Sequence, residues 1–334
     1  MNKISRLVVI GASAGGFKAI TDLLCNFPEQ DSVTVFVVLH ISKSSMSEVI
    51  VHHFQKHTSL TCKVPVNGEQ IQARYLYVAP ADHHMLVKNG EIVVHDGPHE
   101  NRWRPSIDVL FRSAAVAYNS AVIGIVLSGL LDDGTSGMGA IKRSGGICIV
   151  QEPNEAEFSD MPNNVLNNVD VDYRVSVADM EYILQDLFSK PAAEPVEVPP
   201  EIKLEAQLTE RLSTKIQDLG EIADHSIFNC PDCGGGLWKI KNDTVARYRC
   251  HTGHVYTEKV LMQVQSEEIE ETLWVAIRLL EERRNLLLNV ANHEKQAGLN
   301  GGGVDKNRRS EEVAVHIERL KSVLQSINMN EPND

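Results

Sequence analysis

Residues 7–20 read LVVIGASAGGFKAI, an apolar run, a turn of small residues carrying one serine, then apolar residues that resume at helical spacing. Strand, glycine turn and helix in that order open a βα unit, and the free amides at such a helix start attract anions. The turn therefore has two readings: a phosphate cradle, or the presentation of Ser13 as a nucleophile. No GK[ST] follows it, and its glycines, Gly11, Gly15 and Gly16, do not follow G-x-G-x-x-G. The next strand, VTVFVVLH, ends in His40, where a dinucleotide fold would place an acidic residue for the ribose.

Outward from this unit, β-branched runs alternate with helical patterns to about residue 190. The strands lack polar alternation, which predicts a doubly wound α/β domain built on a mainly parallel sheet buried on both faces. Functional groups of such sheets gather at the carboxyl ends of the strands. Ser13 follows the first strand, His40 ends the second, and Asp133 follows AVIGIVLSG in LSGLLDDGTSG. A serine hydroxyl needs an imidazole to take its proton, and the imidazole needs a carboxylate to fix its tautomer. The amide of Ala14 is then a candidate oxyanion donor. Structural readings stand beside these: Ser13 as a helix cap, His40 as a core histidine, Asp133 as an Asx turn, with Asp132 competing for the acid's place. His53 and His57, one helical turn apart, read as a solvated face, and His83 and His84 in APADHHMLV as loop residues near the site.

The chain has 334 residues and a formal charge of -13, which argues against nucleic acid and anionic membranes as partners. No apolar run reaches the ~20 residues of a membrane span, and MNKIS lacks the pattern of a signal peptide, so a cytoplasmic protein without membrane insertion is expected. The segment KPAAEPVEVPPEIK holds four prolines and reads as a linker. The expected parts are a catalytic domain over 1–189, the linker over 190–203, an amphipathic helix over 204–225, a metal ribbon over 226–257, and a helical hairpin over 258–334, broken at GLNGGG. The hairpin's apolar stripe is expected to cover itself or to dimerise.

Three cysteines stand alone, whereas Cys230, Cys233 and Cys250 cluster in FNCPDCGGGLWKIKNDTVARYRCHTGHVY. C-x2-C, a gap of sixteen residues, then C-x3-H predicts a tetrahedral zinc held by Cys230, Cys233, Cys250 and His254. Four protein ligands close the site, so the metal would be structural, and no cofactor is expected in catalysis. His251 is the alternative imidazole.

IGASAGG, VVLHIS, YVAPADHHM, RPSIDVLFRSAA, LSGLLDDGTSGMGAIK and GGICIVQEPNEAEFSDMP, in this order, resemble the catalytic domain of the CheB protein-glutamate methylesterases over about residues 5–190. The resemblance implies Ser13 as nucleophile, His40 as general base and Asp133 as orienting acid. The substrate it implies is the glutamate γ-methyl ester on chemoreceptor helices, with deamidation of receptor glutamines as a second activity. The family's response-regulator members carry an N-terminal receiver domain. This chain opens on the catalytic strand, so no receiver control in cis is expected. A C-x-x-G-H extension similar to that of stand-alone members favours His254 as ligand. Where family members have GMG before the acid, this chain has Gly129-Leu130-Leu131-Asp132, which makes the Leu130 amide the candidate second oxyanion donor.

Overall fold

The computed structural model describes residues 4–211, 216–298 and 302–330. The stretch 7–20 forms β1 (Arg6–Ala12), a tight turn and α1 (Gly16–Cys25). There follow β2 (Val33–Leu39), α2 (Ser47–Phe54), β3 (Thr61–Lys63), β4 (Glu69–Gln70), β5 (Tyr75–Val78), β6 (His84–Lys88) and β7 (Glu91–His95). The domain continues through α3 (Ile107–Tyr118), β8 (Val122–Val126), α4 (Thr135–Arg143), β9 (Ile147–Gln151), α5 (Asp160–Asn168), β10 (Tyr173–Val175) and α6 (Met180–Ser189).

Seven strands form one parallel sheet in the order β10-β9-β8-β1-β2-β5-β3. Leu7 and Val9 of β1 enter one apolar core and Val8 and Ile10 the other. With both faces covered, no strand position is left for a polar residue, hence the missing alternation. The chain runs outward from β1 through β2 on one side and returns through β8 on the other, so a crevice opens at the carboxyl ends of β1, β2 and β8. A small antiparallel sheet, β4-β7-β6, packs beside α3.

Past α6 the structure departs from the expected division. The segment 190–199 is a strap laid along the α/β domain rather than a free tether. The Arg6 guanidinium donates to the carbonyls of Leu187, Lys190 and Pro191, and Ser120 Oγ donates to Ala193 O. Val198 and Ile202 complete the apolar core, a contribution outweighed in the sequence by the four prolines around them. Two helices follow, α7 (Pro200–Arg211) and α8 (Ile216–Ile222), where one was expected over 204–225; of that stretch, residues 212–215 lie outside the described residues. Ala223 already belongs to the next sheet, because it buries with Leu208, Leu219 and Ile240.

The ribbon is a four-stranded antiparallel sheet of β11 (Ala223–Asn229), β12 (Gly236–Ile240), β13 (Arg247–Cys250) and β14 (Val255–Thr257). It forms one compact unit with the α/β domain, through Val260. A buried charge network joins the two. Glu100 receives a two-pronged bond from Arg112 at 2.9 and 2.8 Å and lies 3.3 Å from Arg249. Glu205 of α7 pairs with Arg112 at 3.2 Å and, in two bonds, with Arg247, which also holds Asp243. Three arginines against three carboxylates leave the cluster neutral, which is what permits its burial.

The remaining unit, from Leu261, comprises most of α9 (Glu258–Gln296) and all of α10 (Gly302–Asn330). Ile277, Val313, Ile317 and Leu324 bury against one another with Leu273, Leu280, Leu287 and Leu320 packed around them. Of the expected break at GLNGGG, residues 299–301 lie outside the described residues, as do 331–334 at the end of the expected hairpin.

Candidate active site

Parallel register brings the first two candidate residues together. Ala12 pairs with Leu39, so Ser13 and His40 are the next residues of neighbouring strands, and the His40 amide donates to Ala12 O at 3.0 Å. Neighbouring strands lie ~4.8 Å apart, so the two residues sit side by side at the carboxyl edge of the sheet. The Ser13 amide is pinned to Ser128 O at 3.0 Å. Two glycines make the space. Gly15 turns the chain into α1 with φ of 70°, and a Cβ on Gly129 would fall 2.9 Å from that of Ser13 and 2.0 Å from the Met161 sulfur.

Asp133 is buried and His40 nearly so, and His40 Nε2 donates to Asp133 Oδ2 at 2.8 Å. Four other groups donate to the same carboxylate. The Ile107 amide reaches Oδ2 at 2.8 Å, while Ser106 Oγ, the Asp108 amide and Asn101 Nδ2 reach Oδ1 at 3.0, 3.2 and 3.3 Å. Asp133 thereby caps the N-terminus of α3, whose positive dipole end favours its anion. Burial works against ionisation, but the bond and charge of His40 and the two helix amides outweigh it, holding the carboxyl below its ordinary range. Asp108 returns the cap, accepting from the amides of Gly134 and Gly137 at the start of α4. Burial first, and the Asp133 charge next, push Asp108 well above the usual carboxylate range.

With Nε2 committed to Asp133, Nδ1 is the free base of the ring. It is buried and makes no hydrogen bond among the described residues. Ser13 Oγ is likewise unbonded to it in this state; catalytic hydrogen bonds commonly close only around substrate. The amides of Ala14 and Leu130 have no partner among the described residues, as donors waiting for an oxyanion would. Leu131, at φ of 64°, turns the intervening loop back toward Asp160. Asp132, the rival acid, points elsewhere and is raised by burial.

Two residues of the site escaped sequence reading. Trp103 stacks on His40 with ring centroids 4.0 Å apart and planes 11° from parallel. Asn101 bridges Asp133 and Asp108 through one amide nitrogen. The stretch NRWRPS resembles loop sequence, and only its adjacency to the helix that Asp133 caps could have flagged it. His84 is fully buried behind the loop, donating from Nε2 to Pro98 O and accepting the Ser106 amide at Nδ1. His53 and His57 lie outside the crevice on α2 and just beyond it, where His57 meets Cys25 at 3.4 Å.

The Cys/His candidates converge separately. One ligand atom each from Cys230, Cys233, Cys250 and His254 lies within 4.8 Å of the others. The Cys233–Cys250 sulfurs are 3.8 Å apart, and His254 Nδ1 is 3.7 and 3.6 Å from the sulfurs of Cys230 and Cys250. Bonds of about 2.3 Å to sulfur and 2.0 Å to nitrogen give tetrahedral edges of about 3.8 and 3.5 Å, so the donor set fits zinc. Behind it, Asp232 Oδ2 accepts from Tyr256 Oη at 2.7 Å and faces His254 Nε2 at 3.7 Å, the outer support expected of such a ligand. His251 is exposed beside Gly235 and stays outside the cluster.

Fold and sequence together define a doubly wound α/β domain, with the candidate residues gathered at the sheet's switch point. The family model of the CheB methylesterases matches residues 8–184, and the chain belongs to this family. It is by that membership a carboxylic ester hydrolase. It is 32% identical over 192 residues to the protein-glutamate methylesterase/protein-glutamine glutaminase of Salmonella typhimurium, covering 56% of this chain and 54% of that one. A Leptospira interrogans protein, provisionally named for the same activities, is 35% identical over 171 residues, 51% of this chain and 88% of its own. Among solved structures, the Thermotoga maritima CheB methylesterase catalytic domain aligns with a TM-score of 0.52 at 27% identity, over 55% of this chain and 98% of that one. The chain thus spans about half of the Salmonella protein. Among the described residues, no helix is long and apolar enough to cross a membrane.

Proposed function

We propose that this chain hydrolyses glutamate γ-methyl esters on the cytoplasmic helices of chemoreceptors, and deamidates receptor glutamines, with Ser13, His40 and Asp133 as a catalytic triad. The observation that carries the reading is the His40 Nε2 to Asp133 Oδ2 bond at 2.8 Å, made by a carboxylate already held by four other donors. It leaves Nδ1 as the base beside Ser13.

In the proposed cycle, Ser13 Oγ attacks the ester carbonyl while its proton passes to His40 Nδ1. The imidazolium, stabilised by Asp133, returns the proton to the leaving methoxide, and methanol departs. Water then attacks the acyl-serine with His40 again taking a proton, releasing the glutamate carboxylate and restoring the Ser13 hydroxyl. Ala14 and Leu130 amides bind the oxyanion in both halves. Glutamine follows the same path with ammonia leaving.

We assign a structural zinc to Cys230, Cys233, Cys250 and His254, a cytoplasmic location to the protein, and self-association to the hairpin of α9 and α10. The donor geometry of the ribbon supports the first, the acidic charge of the chain the second, and the apolar side chains left exposed on the two helices, Trp274, Leu286 and Val315 among them, the third. The deciding experiment measures methanol release from methylated receptor fragments by the wild type and by Ser13→Ala. Release by the first and its loss in the second is the expected result; undiminished release by Ser13→Ala refutes the triad.

A further inference from the structure

We propose that the metal ribbon is a working part of the catalytic centre, holding the loop 98–103 so that Asn101 and Trp103 fix the acid and the base. This inference rests on the triad reading above and extends it to residues outside the three.

The connection can be followed bond by bond. His254 is one of the four residues assigned above to the zinc, and β14 begins at the next residue. The Val255 amide donates to His99 O at 3.2 Å, and the Asn101 amide donates back to Val255 O at 2.8 Å. Two residues along β14, the Thr257 amide donates to Asn101 Oδ1 at 3.0 Å. Gly253, inside the ligand turn, sits against Pro98, where a Cβ would come within 3.2 Å. The ribbon therefore grips the loop at Pro98, His99 and Asn101.

The loop grips the triad. With its oxygen taken by Thr257, the Asn101 amide has one orientation, nitrogen toward Asp133 Oδ1 at 3.3 Å and Asp108 Oδ2 at 3.1 Å. A carboxylate in this place would set a second negative group against Asp133 and would have no proton to donate to it. Two residues on, Trp103 lies flat on His40 at 4.0 Å, and its amide returns to Glu100 O at 2.9 Å. Glu100 is itself held by Arg249 of β13, next to the ligand Cys250. Each contact the loop makes with Asp133 or His40 is backed by a contact to the ribbon, within a few residues of a metal ligand. A ribbon that merely decorated the enzyme would not need to bond the residue that bonds the acid.

Asn101 and Trp103 are positioning residues: neither replaces a triad group, and both restrict how Asp133 and His40 sit. Loss of the ribbon's grip should slow the chemical step more than substrate capture, since the contacts it removes are those that hold Asp133 and His40. Metal loading thereby becomes a determinant of turnover at a catalytic site that uses no metal itself.

The test uses the full-length protein in two arms. In the first, Asn101→Ala is compared with wild type for kcat, KM, zinc content and rate of Ser13 labelling by a fluorophosphonate. The expected result is a fall of at least ~10-fold in kcat and in labelling, with KM within about twofold and zinc retained. In the second, Trp238→Phe/Trp274→Phe leaves Trp103 as the sole indole, and its emission is followed while zinc is withdrawn by a chelator and restored. Emission should change on withdrawal in parallel with the labelling rate and recover with zinc. Unchanged kcat and labelling in Asn101→Ala overturn the proposal, as does chelation that removes the zinc yet leaves Trp103 emission and Ser13 labelling as they were. Failure of the triad reading looks different: wild type and Asn101→Ala would both resist labelling, while Trp103 emission could still follow the metal.

Discussion

Replacing Asp133 by Asn separates the acid's electrostatic work from its packing, because the two side chains have nearly the same shape. The carboxylate accepts five donors, two on Oδ2 and three on Oδ1. Asparagine turns one oxygen into an NH2 that must face donors whichever way it points. Placed at Oδ1 it strands the Asp108 amide and opposes Asn101, since only the Ser106 hydroxyl can rotate away. Placed at Oδ2 it strands the Ile107 amide alone, because His40 can adapt by accepting at Nε2. A stranded buried donor costs about 1–3 kcal/mol, so the second orientation wins and the variant should lose about that much stability. The same choice moves the imidazole proton to Nδ1, the atom that must receive the proton of Ser13. A wrong tautomer in a serine triad costs ~10⁴ in kcat, about 5.4 kcal/mol of barrier. The assay is methanol release by full-length enzyme alongside urea unfolding. An Asp133→Asn enzyme retaining activity within about tenfold of wild type, while folded, would refute both the role of Asp133 and the assignment of Nδ1 as base.

The buried network predicts that Glu205→Gln, which leaves three buried arginines against two carboxylates, costs about 3–5 kcal/mol in urea unfolding, far above a surface ion pair; a loss under ~1 kcal/mol would mean that water reaches these groups. His84 supplies a pH dependence. Burial, only partly offset by Glu100, depresses its pKa from 6.5 to about 4, so the unfolded chain binds the extra proton in that window. Stability should therefore fall as pH drops from about 6.5 to about 4, by up to ~1.4 kcal/mol per unit. His84→Gln should flatten that part of the curve, and identical slopes in the two proteins would contradict the assignment. The Cys/His cluster predicts one zinc per chain by elemental analysis and its loss in Cys233→Ser, with the ribbon's melting transition moving down in temperature.

Much of the crevice was legible because it is written in local patterns. Apolar strands without alternation announce a sheet covered on both faces, and Ser13 and His40 close two such strands, so parallel register alone makes them neighbours. The Cys/His spacing likewise picks out, before any coordinates are known, the four side chains that the fold gathers into one cluster. What the sequence hid depends on distant pairing. Glu100, Arg112, Glu205 and Arg247 look like ordinary surface charges until the ribbon docks, and the prolines at 191–200 suggest separation where Val198 and Ile202 supply attachment. Asn101 carries no signal of its own: its importance comes from the 156 residues that separate it from Thr257 in sequence and the 3.0 Å that separate them in space.

The charge network also has a direction in time. Glu100 and Arg112 leave the ribosome well before Glu205, Arg247 and Arg249, and domains generally fold from the N-terminus as they are made. The α/β domain can therefore close early with a neutral pair still in water, and the later arrival of the ribbon dehydrates that pair while completing the loop around Asp133. Synthesis itself would then act as a delay: a nascent chain could own all three residues proposed as the triad and remain quiet until β14 had been delivered.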